Sequence, residues 1–298
     1  MRIVARTGAG ALVVSLATVS LWSSGCLVFA DAPNGAEEGS GGDGAGDAPE
    51  TGWVQVAVNF SKVCALHGDG SLWCERSNDL ERVSSTTYLA LSSGFSPFDE
   101  CAIDANGRLV CGVTADTGFE LPGPFDAVSG GVGAGCARRP TGAARCWPEA
   151  ENVSGPFTSL GAGDRFACGI DGAGALQCWS IDNLILDDAL TTIPSGSFSE
   201  VRTSDGLGCA RRADGVVCWG YDIYERTGTF AGSFVDLAIN RRNACAVRAS
   251  GELLCWGDGS SDPNKSHLFP PGDLRFTDVE VGNERGCGIT DDSRLVCW

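Results

Sequence analysis

The chain has 298 residues, 43% of them hydrophobic, and a formal net charge of -17. That hydrophobic share supplies a sizeable core for one or two domains. The charge repels nucleic acid phosphates and anionic lipid headgroups and argues against both as direct partners. Two His and one Met leave little material for His-based metal sites or His-dependent catalysis. Fifteen Cys point to metal or redox chemistry in a cytosolic protein and to a disulfide framework in an exported one.

The N-terminus decides between these. Residues 1–26 read as a secretory signal: Arg2 and Arg6 form a positive head, and Ala11 to Trp22 is uncharged and mostly apolar. The apolar run is short of the roughly 20 residues a membrane-spanning helix needs. Ser23-Ser24-Gly25-Cys26 resembles the lipobox of bacterial lipoproteins, in which the Cys becomes the lipidated first residue; Ser23 departs from the usual Leu. The competing site is Val28-Phe29-Ala30, which would release a secreted chain starting at Asp31. Lipidation at Cys26 is preferred, since simple secretion leaves the Gly-Cys pair as coincidence. Residues 27–52 are expected to form a flexible acidic linker. Asn34 to Gly52 is Gly-rich, carries five acids and has no Lys or Arg, so it buries too little apolar surface to offset its ordering entropy.

Residues 53–298 repeat seven times. Each repeat opens on an aromatic: Trp53, Tyr88, Phe125, Phe157, Phe198, Phe234 and Phe276. An apolar residue follows three later: Val56, Leu91, Val128, Leu160, Val201, Leu237 and Val279. Then comes a first Cys: Cys64, Cys101, Cys136, Cys168, Cys209, Cys245 and Cys287. Each is followed by Ala or Gly, which suggests a crowded position where strands pack close around an axis. A second Cys ends the unit: Cys74, Cys111, Cys146, Cys178, Cys218, Cys255 and Cys297, five of them followed by Trp. Repeats of about 35 to 40 residues, made of short apolar segments with Gly and Asp between, fit propeller blades. The expected fold is all-β, a seven-bladed β-propeller with four strands per blade.

Cys64 to Cys74 folds as a hairpin around Gly68-Asp69-Gly70, with Leu66 facing Leu72, Ala65 facing Trp73 and Cys64 facing Cys74. The third loop position wants a left-handed backbone, hence Gly70, Gly107, Gly142, Gly174 and Gly251. Opposed Cα atoms about 4.5 to 5.5 Å apart can carry a disulfide, so a bridge is expected within every repeat. Two repeats depart. The Cys209–Cys218 unit is one residue short and needs a bulge or a two-residue turn, and Ser293 holds the glycine slot of the last hairpin. The Cys spacing does not suit structural zinc, which pairs Cys a few residues apart. The last repeat stops at Trp298, so at most residues 48 to 52 could supply its outer strand.

The segment Asn243 to Gly257, with Val216-Val217-Cys218-Trp219-Gly220, resembles the regulator of chromosome condensation family. The resemblance runs from Trp53 to Trp298 and implies a seven-bladed propeller. The Gly-Gln-Leu-Gly stretch common after Trp-Gly in the family is missing. The namesake's nuclear GTPase and chromatin do not suit an exported acidic chain. Secreted and surface bacterial members that bind proteins, among them an inhibitor of secreted β-lactamases, suit it better.

The loops after the second Cys vary most and are the expected partner-binding positions. The candidates are Tyr221 and Tyr224, with His267 and Phe269; Leu184 to Leu186 read rather as an outer strand. Asp187-Asp188 and Asp291-Asp292 read as solvated turns rather than calcium ligands. No catalytic constellation, cofactor or metal site is expected. The expectation is a monomeric protein-binding module, tethered by lipid to the outer membrane and facing periplasm or exterior. A carbohydrate-binding propeller or a carboxylate-dependent hydrolase or lyase is the alternative. A binder should show an aromatic or apolar patch, and an enzyme a pocket of convergent, perturbed carboxylates.

Overall fold

The computed structural model describes residues 48–59, 62–77, 79–92, 100–114, 118–131, 133–148, 152–181, 192–221, 226–258, 273–282 and 285–298. Cys26, the signal segment and most of the acidic linker lie outside them, as do Leu184 to Leu186, Tyr224, His267 and Phe269.

The repeats build seven antiparallel sheets, numbered here 1 to 7 in chain order. The aromatic segment forms the first strand of each, as in Trp53–Val58 of sheet 1 and Phe276–Val281 of sheet 7. The Cys hairpin forms the second and third strands. Sheets 1, 2, 3 and 5 carry a fourth strand from the segment before the next aromatic: Asp79–Arg82, Phe119–Leu121, Asn152–Val153 and Gly228–Ala231. Sheets 4, 6 and 7 have three strands among the described residues.

A spacing of three between aromatic and apolar residue conflicts with a strand's period of two, because such residues face opposite sides. The fold resolves this with a bulge. In sheet 1 Trp53 pairs with His67 and Gln55 with Leu66, so Val54 is the extra residue. Trp53 and Val56 then bury on one side while Val54 is turned outward. Sheets 2, 4, 6 and 7 shift register at the same point.

The hairpins follow the predicted register, with Leu66 opposite Leu72, Ala65 opposite Trp73 and Cys64 opposite Cys74. Seven disulfides join the paired Cys of each hairpin. Their Cα atoms lie 4.0 to 4.1 Å apart, closer than expected. Gly286 and Trp298 exchange both main-chain hydrogen bonds, so Cys287 and Cys297 beside them occupy the closer, non-hydrogen-bonded type of pair. Gly70, Gly107, Gly142, Gly174 and Gly251 all adopt positive φ, and Ser293 takes the same conformation at φ 64°. The short hairpin turns through Ala213-Asp214, with Arg212 opposite Gly215.

The glycine that follows the first Cys in two repeats has a different cause from the one expected for the small residue there. A Cβ on Gly169 would lie 2.5 Å from the Phe157 ring, and one on Gly288 2.6 Å from that of Phe276. At these two positions the crowding comes from the repeat's own aromatic. The Trp after the second Cys closes over the residue before the first: Cβ atoms on Gly135, Gly208 and Gly286 would enter Trp147, Trp219 and Trp298.

Residues 48–52 add no strand. Ala48 packs on a core cluster shared by sheets 1 and 7, and the Trp53 indole donates to the Pro49 carbonyl at 3.0 Å. The folded head therefore begins a few residues before Trp53.

Candidate functional site

Each first strand reaches across to its neighbour with a polar side chain. Val279 N–H donates to Asp236 Oδ2 at 2.8 Å, and Val56 N–H to Asp278 Oδ2 at 3.0 Å. Gln55 both donates to the Leu91 carbonyl and accepts from its N–H. Ser159 accepts from Val201 N–H, Ser92 from Gly130 N–H and Ser129 from Ala162 N–H. Between sheets 5 and 6 the link is Arg202 Nε to the Leu237 carbonyl at 2.9 Å. Every neighbouring pair of sheets is thus tied, sheet 7 to sheet 1 included. That last seam also carries Trp53 N–H to the Ser293 carbonyl and an Arg285–Glu75 ion pair of 2.5 Å.

These ties gather charge on sheets 5, 6 and 7. Arg202 Nη2 lies 3.0 Å from Glu200 and 3.7 Å from Asp236, and Arg211 holds the other Glu200 oxygen at 2.9 Å. Burial pushes the Glu200 carboxyl up, against the pull of Arg202. Burial, then the nearby Asp236, pushes Asp278 well up. Burial pushes Glu280 up to about 7, partly countered by Arg202. Among the described residues no group of His, Cys, Asp and Glu is placed to hold a metal ion.

The first strands end around one cavity of about 50 Å³. Six of them contribute their last residue: Val58, Ser92, Gly130, Ser204, Ile239 and Val281. Asp164, just past the remaining one, lines it as well, so residues from all seven sheets meet there. Arg202, Thr203 and Glu280 also line it. A cavity of this size takes a few waters, not a sugar ring, whereas ligand pockets usually measure about 300 to 1,000 Å³. Two of the raised carboxyls are also structurally engaged: Asp278 holds a seam, and Glu200 is paired with two arginines.

Tyr221 lies at the same end of the strands. It follows the third strand of sheet 5, and its N–H donates to the carbonyl of Gly206, in the turn between the first two strands. Its own carbonyl accepts from the buried Arg226, which also donates to the Asn240 and Arg241 carbonyls. The main chain is pinned on both sides while the residue stays 53% exposed. Asp292, read from the sequence as a turn residue rather than a calcium ligand, accepts from Thr290 Oγ1 and pairs with Arg294, which hold its carboxyl low. It serves its own turn. The opposite face bears exposed Val54, Leu89 and Val235, the residues following the aromatics.

Of the expected binding residues, only Tyr221 falls within the described chain. The axial charges were missed by sequence reasoning. Aligning the repeats on their aromatics would have exposed them, because Gln55, Ser159, Glu200, Asp236 and Asp278 all stand two residues on.

No protein-family model matches the chain. A curated relative, a serine/threonine-protein kinase-like protein CCR4 from Arabidopsis thaliana, is 33% identical over 58 residues, 19% of this chain and 6% of that protein. The match therefore spans a small fraction of the relative's length. Among solved structures, the CRINKLY WD40 ectodomain of the Arabidopsis thaliana receptor kinase ACR4 is similar at TM-score 0.61 and 20% identity. That match covers 83% of this chain and 95% of that one. The entire ectodomain of the Physcomitrella patens receptor kinase CR4 is similar at TM-score 0.65 and 20% identity, over 83% and 73% of the chains. At such identity the likeness defines the fold, and the fold is a β-propeller.

Proposed function

We propose that this chain is an exported protein-binding module: a closed seven-bladed ring of repeats like those of the regulator of chromosome condensation family. It is monomeric and held at the bacterial cell envelope by lipid on Cys26. The seam of Trp53 with Ser293 and the cavity lined from all seven sheets support ring closure. Seven bridges within hairpins suit an oxidising compartment. Two of the similar structures are receptor-kinase ectodomains, which fits a propeller displayed outside the cytoplasm.

Tyr221 is the observation that carries binding. A large aromatic, exposed but fixed through both its main-chain groups, contributes contact area at low ordering cost, as binding hot spots do. A photo-crosslinking residue at position 221 of the full chain, expressed in a bacterial envelope, should capture a discrete protein adduct. Crosslinks at position 89, on the opposite face, should not yield it. Equal adducts from both positions, or glycan in place of protein, would sink the reading. The anchor is tested separately: detergent-phase partitioning should disappear in Cys26→Ser.

A further inference from the structure

We propose that the outer edge of sheet 6 binds an extended segment of a partner protein as its fourth strand, a segment in which apolar and basic residues alternate. Leu253 and Cys255, on the third strand, lie in the closer type of pair. Arg248 N–H donates to the Glu252 carbonyl, which sets the alternation, and the Cα atoms of Cys245 and Cys255 are 4.1 Å apart. The N–H and C=O groups of Leu253 and Cys255 therefore point outward, and no strand pairs with them among the described residues. Their side chains are uncovered too. Both are half-buried, whereas Val216 and Cys218, beside the fourth strand of sheet 5, are 0% and 4% exposed. Leu109 and Cys111 of sheet 2 are 0% and 1% exposed.

The sister sheets show what belongs at this edge. In sheets 2, 3 and 5 the residue two before the second Cys faces Leu121, Val153 and Phe230. Each of these stands four before the next aromatic and packs on its sheet's core cluster. The same count back from Phe276 puts Gly272 opposite Leu253 and Pro270 opposite Cys255. Gly272 brings no side chain to the apolar place, and Pro270 brings no N–H to the ladder. An open groove of about 360 Å³ runs beside the edge, walled by Leu253, Leu254 and Leu274. That volume is within the range of ligand sites.

A strand added to a sheet edge takes affinity from main-chain hydrogen bonds and selectivity from its alternate side chains. The residue opposite Leu253 has Leu253 and Leu274 to pack on. The next residue along meets charge. In sheet 2 Glu120, on the fourth strand, pairs at 3.1 Å with Arg108, which stands three before the second Cys. Glu252 holds that position in sheet 6, so the complement of Glu120 there is a basic residue. Glu252 shares Arg275 at 3.0 Å, Arg248 lies over the Phe234 ring, and exposed Asp273 has no ion pair among the described residues. The four charges of the groove cancel, and the net charge of -17 on the chain attracts a basic segment at longer range. The groove lies at the turn end of its hairpin, whereas Tyr221 follows the far end of a third strand. It is a second site, beyond the one proposed above.

The test uses the full chain carrying Cys26→Ser, purified after export, and a dye-labelled peptide of sequence Thr-Lys-Val-Lys-Val-Lys-Thr. Fluorescence anisotropy reads affinity and hydrogen exchange reads place. The peptide should bind saturably at one site and slow exchange at the Leu253 and Cys255 amides while leaving Val216 unchanged. Methylating both valine nitrogens, which face the edge carbonyls, should weaken binding about tenfold or more, and so should Leu274→Asp. The analogue with Glu in place of Lys should bind about fivefold more weakly. Equal binding of the methylated peptide, no saturable binding, or slowed exchange elsewhere overturns the edge site. Equal binding of the glutamyl analogue overturns the basic partner. Two other occupants are read in the same samples, and either one overturns the proposal. Without peptide, Leu253 and Cys255 amides as protected as Val216 would mean that residues 259–272 fill the edge. A dimer at the working concentration that Leu274→Asp abolishes would make a second copy the occupant. The methylated peptide needs no variant, so it decides even if Leu274→Asp fails to fold. Failure here leaves the Tyr221 crosslink untouched, so the two readings fall separately.

Discussion

The main-chain N–H of Trp53, on the first strand of the first repeat, donates to the carbonyl oxygen of Ser293, in the hairpin of the last. The same bond runs from Tyr88 to Gly70, Phe125 to Gly107, Phe157 to Gly142, Phe198 to Gly174 and Phe276 to Gly251. Between sheets 5 and 6 the shortened turn replaces it with Gly232 N–H to Asp214. In six of the seven hairpins the left-handed residue thus presents its carbonyl to the next sheet's aromatic segment, and the first and last sheets are joined by the same bond as five interior pairs.

Ser293 is the one side chain in that slot and sits at φ 64°. The left-handed conformation costs an L-residue about 1 to 2 kcal/mol, offset in part by the extra unfolded-state freedom of glycine. Ser293→Gly should therefore raise stability by about 0.5 to 1 kcal/mol, read as a higher denaturant midpoint at unchanged slope. Ser293→Val, branched at Cβ, should lower it. A neutral Gly and a neutral Val together would mean that the slot carries no strain.

The bridges should be separable in their effects. Replacing both Cys245 and Cys255 by Ser removes one loop of about ten residues and should cost about 2 to 3 kcal/mol while leaving the other pairings intact. Non-reducing peptide mapping of the unaltered protein should recover only pairs within a hairpin. A bridge between repeats would contradict the register.

Stability should peak in mild acid. Carboxyls raised by burial bind more protons folded than unfolded, so their contribution is full below the ordinary carboxylate range and fades as pH rises, for Glu280 through about 7. Asp69 and Asp292 work in the opposite sense. Hydrogen bonds, from Ser71 and from Thr290 first, hold them low, and the stability they supply is lost as pH falls below the ordinary range. Tm should be highest near about pH 5 and decline toward pH 8. At pH 8, Glu280→Gln should recover about 1 to 3 kcal/mol, roughly 2 to 4 °C for each. A Tm that climbs steadily from pH 5 to 8 would contradict this.

Sheet 7 should open first at its rim. Its third strand, Leu295–Cys297, has no fourth strand beside it among the described residues, and the Leu295 amide faces away from the hairpin's other strand. Val216 of sheet 5, the equivalent position, faces Phe230 on a fourth strand. Native-state hydrogen exchange should show Leu295 less protected than Val216. The Trp53 amide, tied to Ser293, should stay protected. Early exchange at Trp53 would mean that the seam is weaker than its contacts indicate.

By itself the sequence determined what is local. Cys64 and Cys74 are close along the chain, and a glycine at the third loop position admits one hairpin register, so pairing followed from counting with period two. The aromatic at the head of each repeat, repeated seven times, likewise set the architecture, since a single sheet cannot bury its own faces. Tertiary structure decided the rest. Spacing alone does not show that the residue after the aromatic bulges out, nor that Phe157 is what confines Gly169. Glu200, Asp236, Asp278 and Glu280 come from three repeats, and nothing local requires them to meet. They converge because the sheets turn about a common axis, and that turn is fixed by packing and by the seam bonds between sheets. Tyr221 was legible as an aromatic in a variable loop. Its rigid exposure was not, because that depends on Arg226 reaching from the chain beyond the loop to hold its carbonyl.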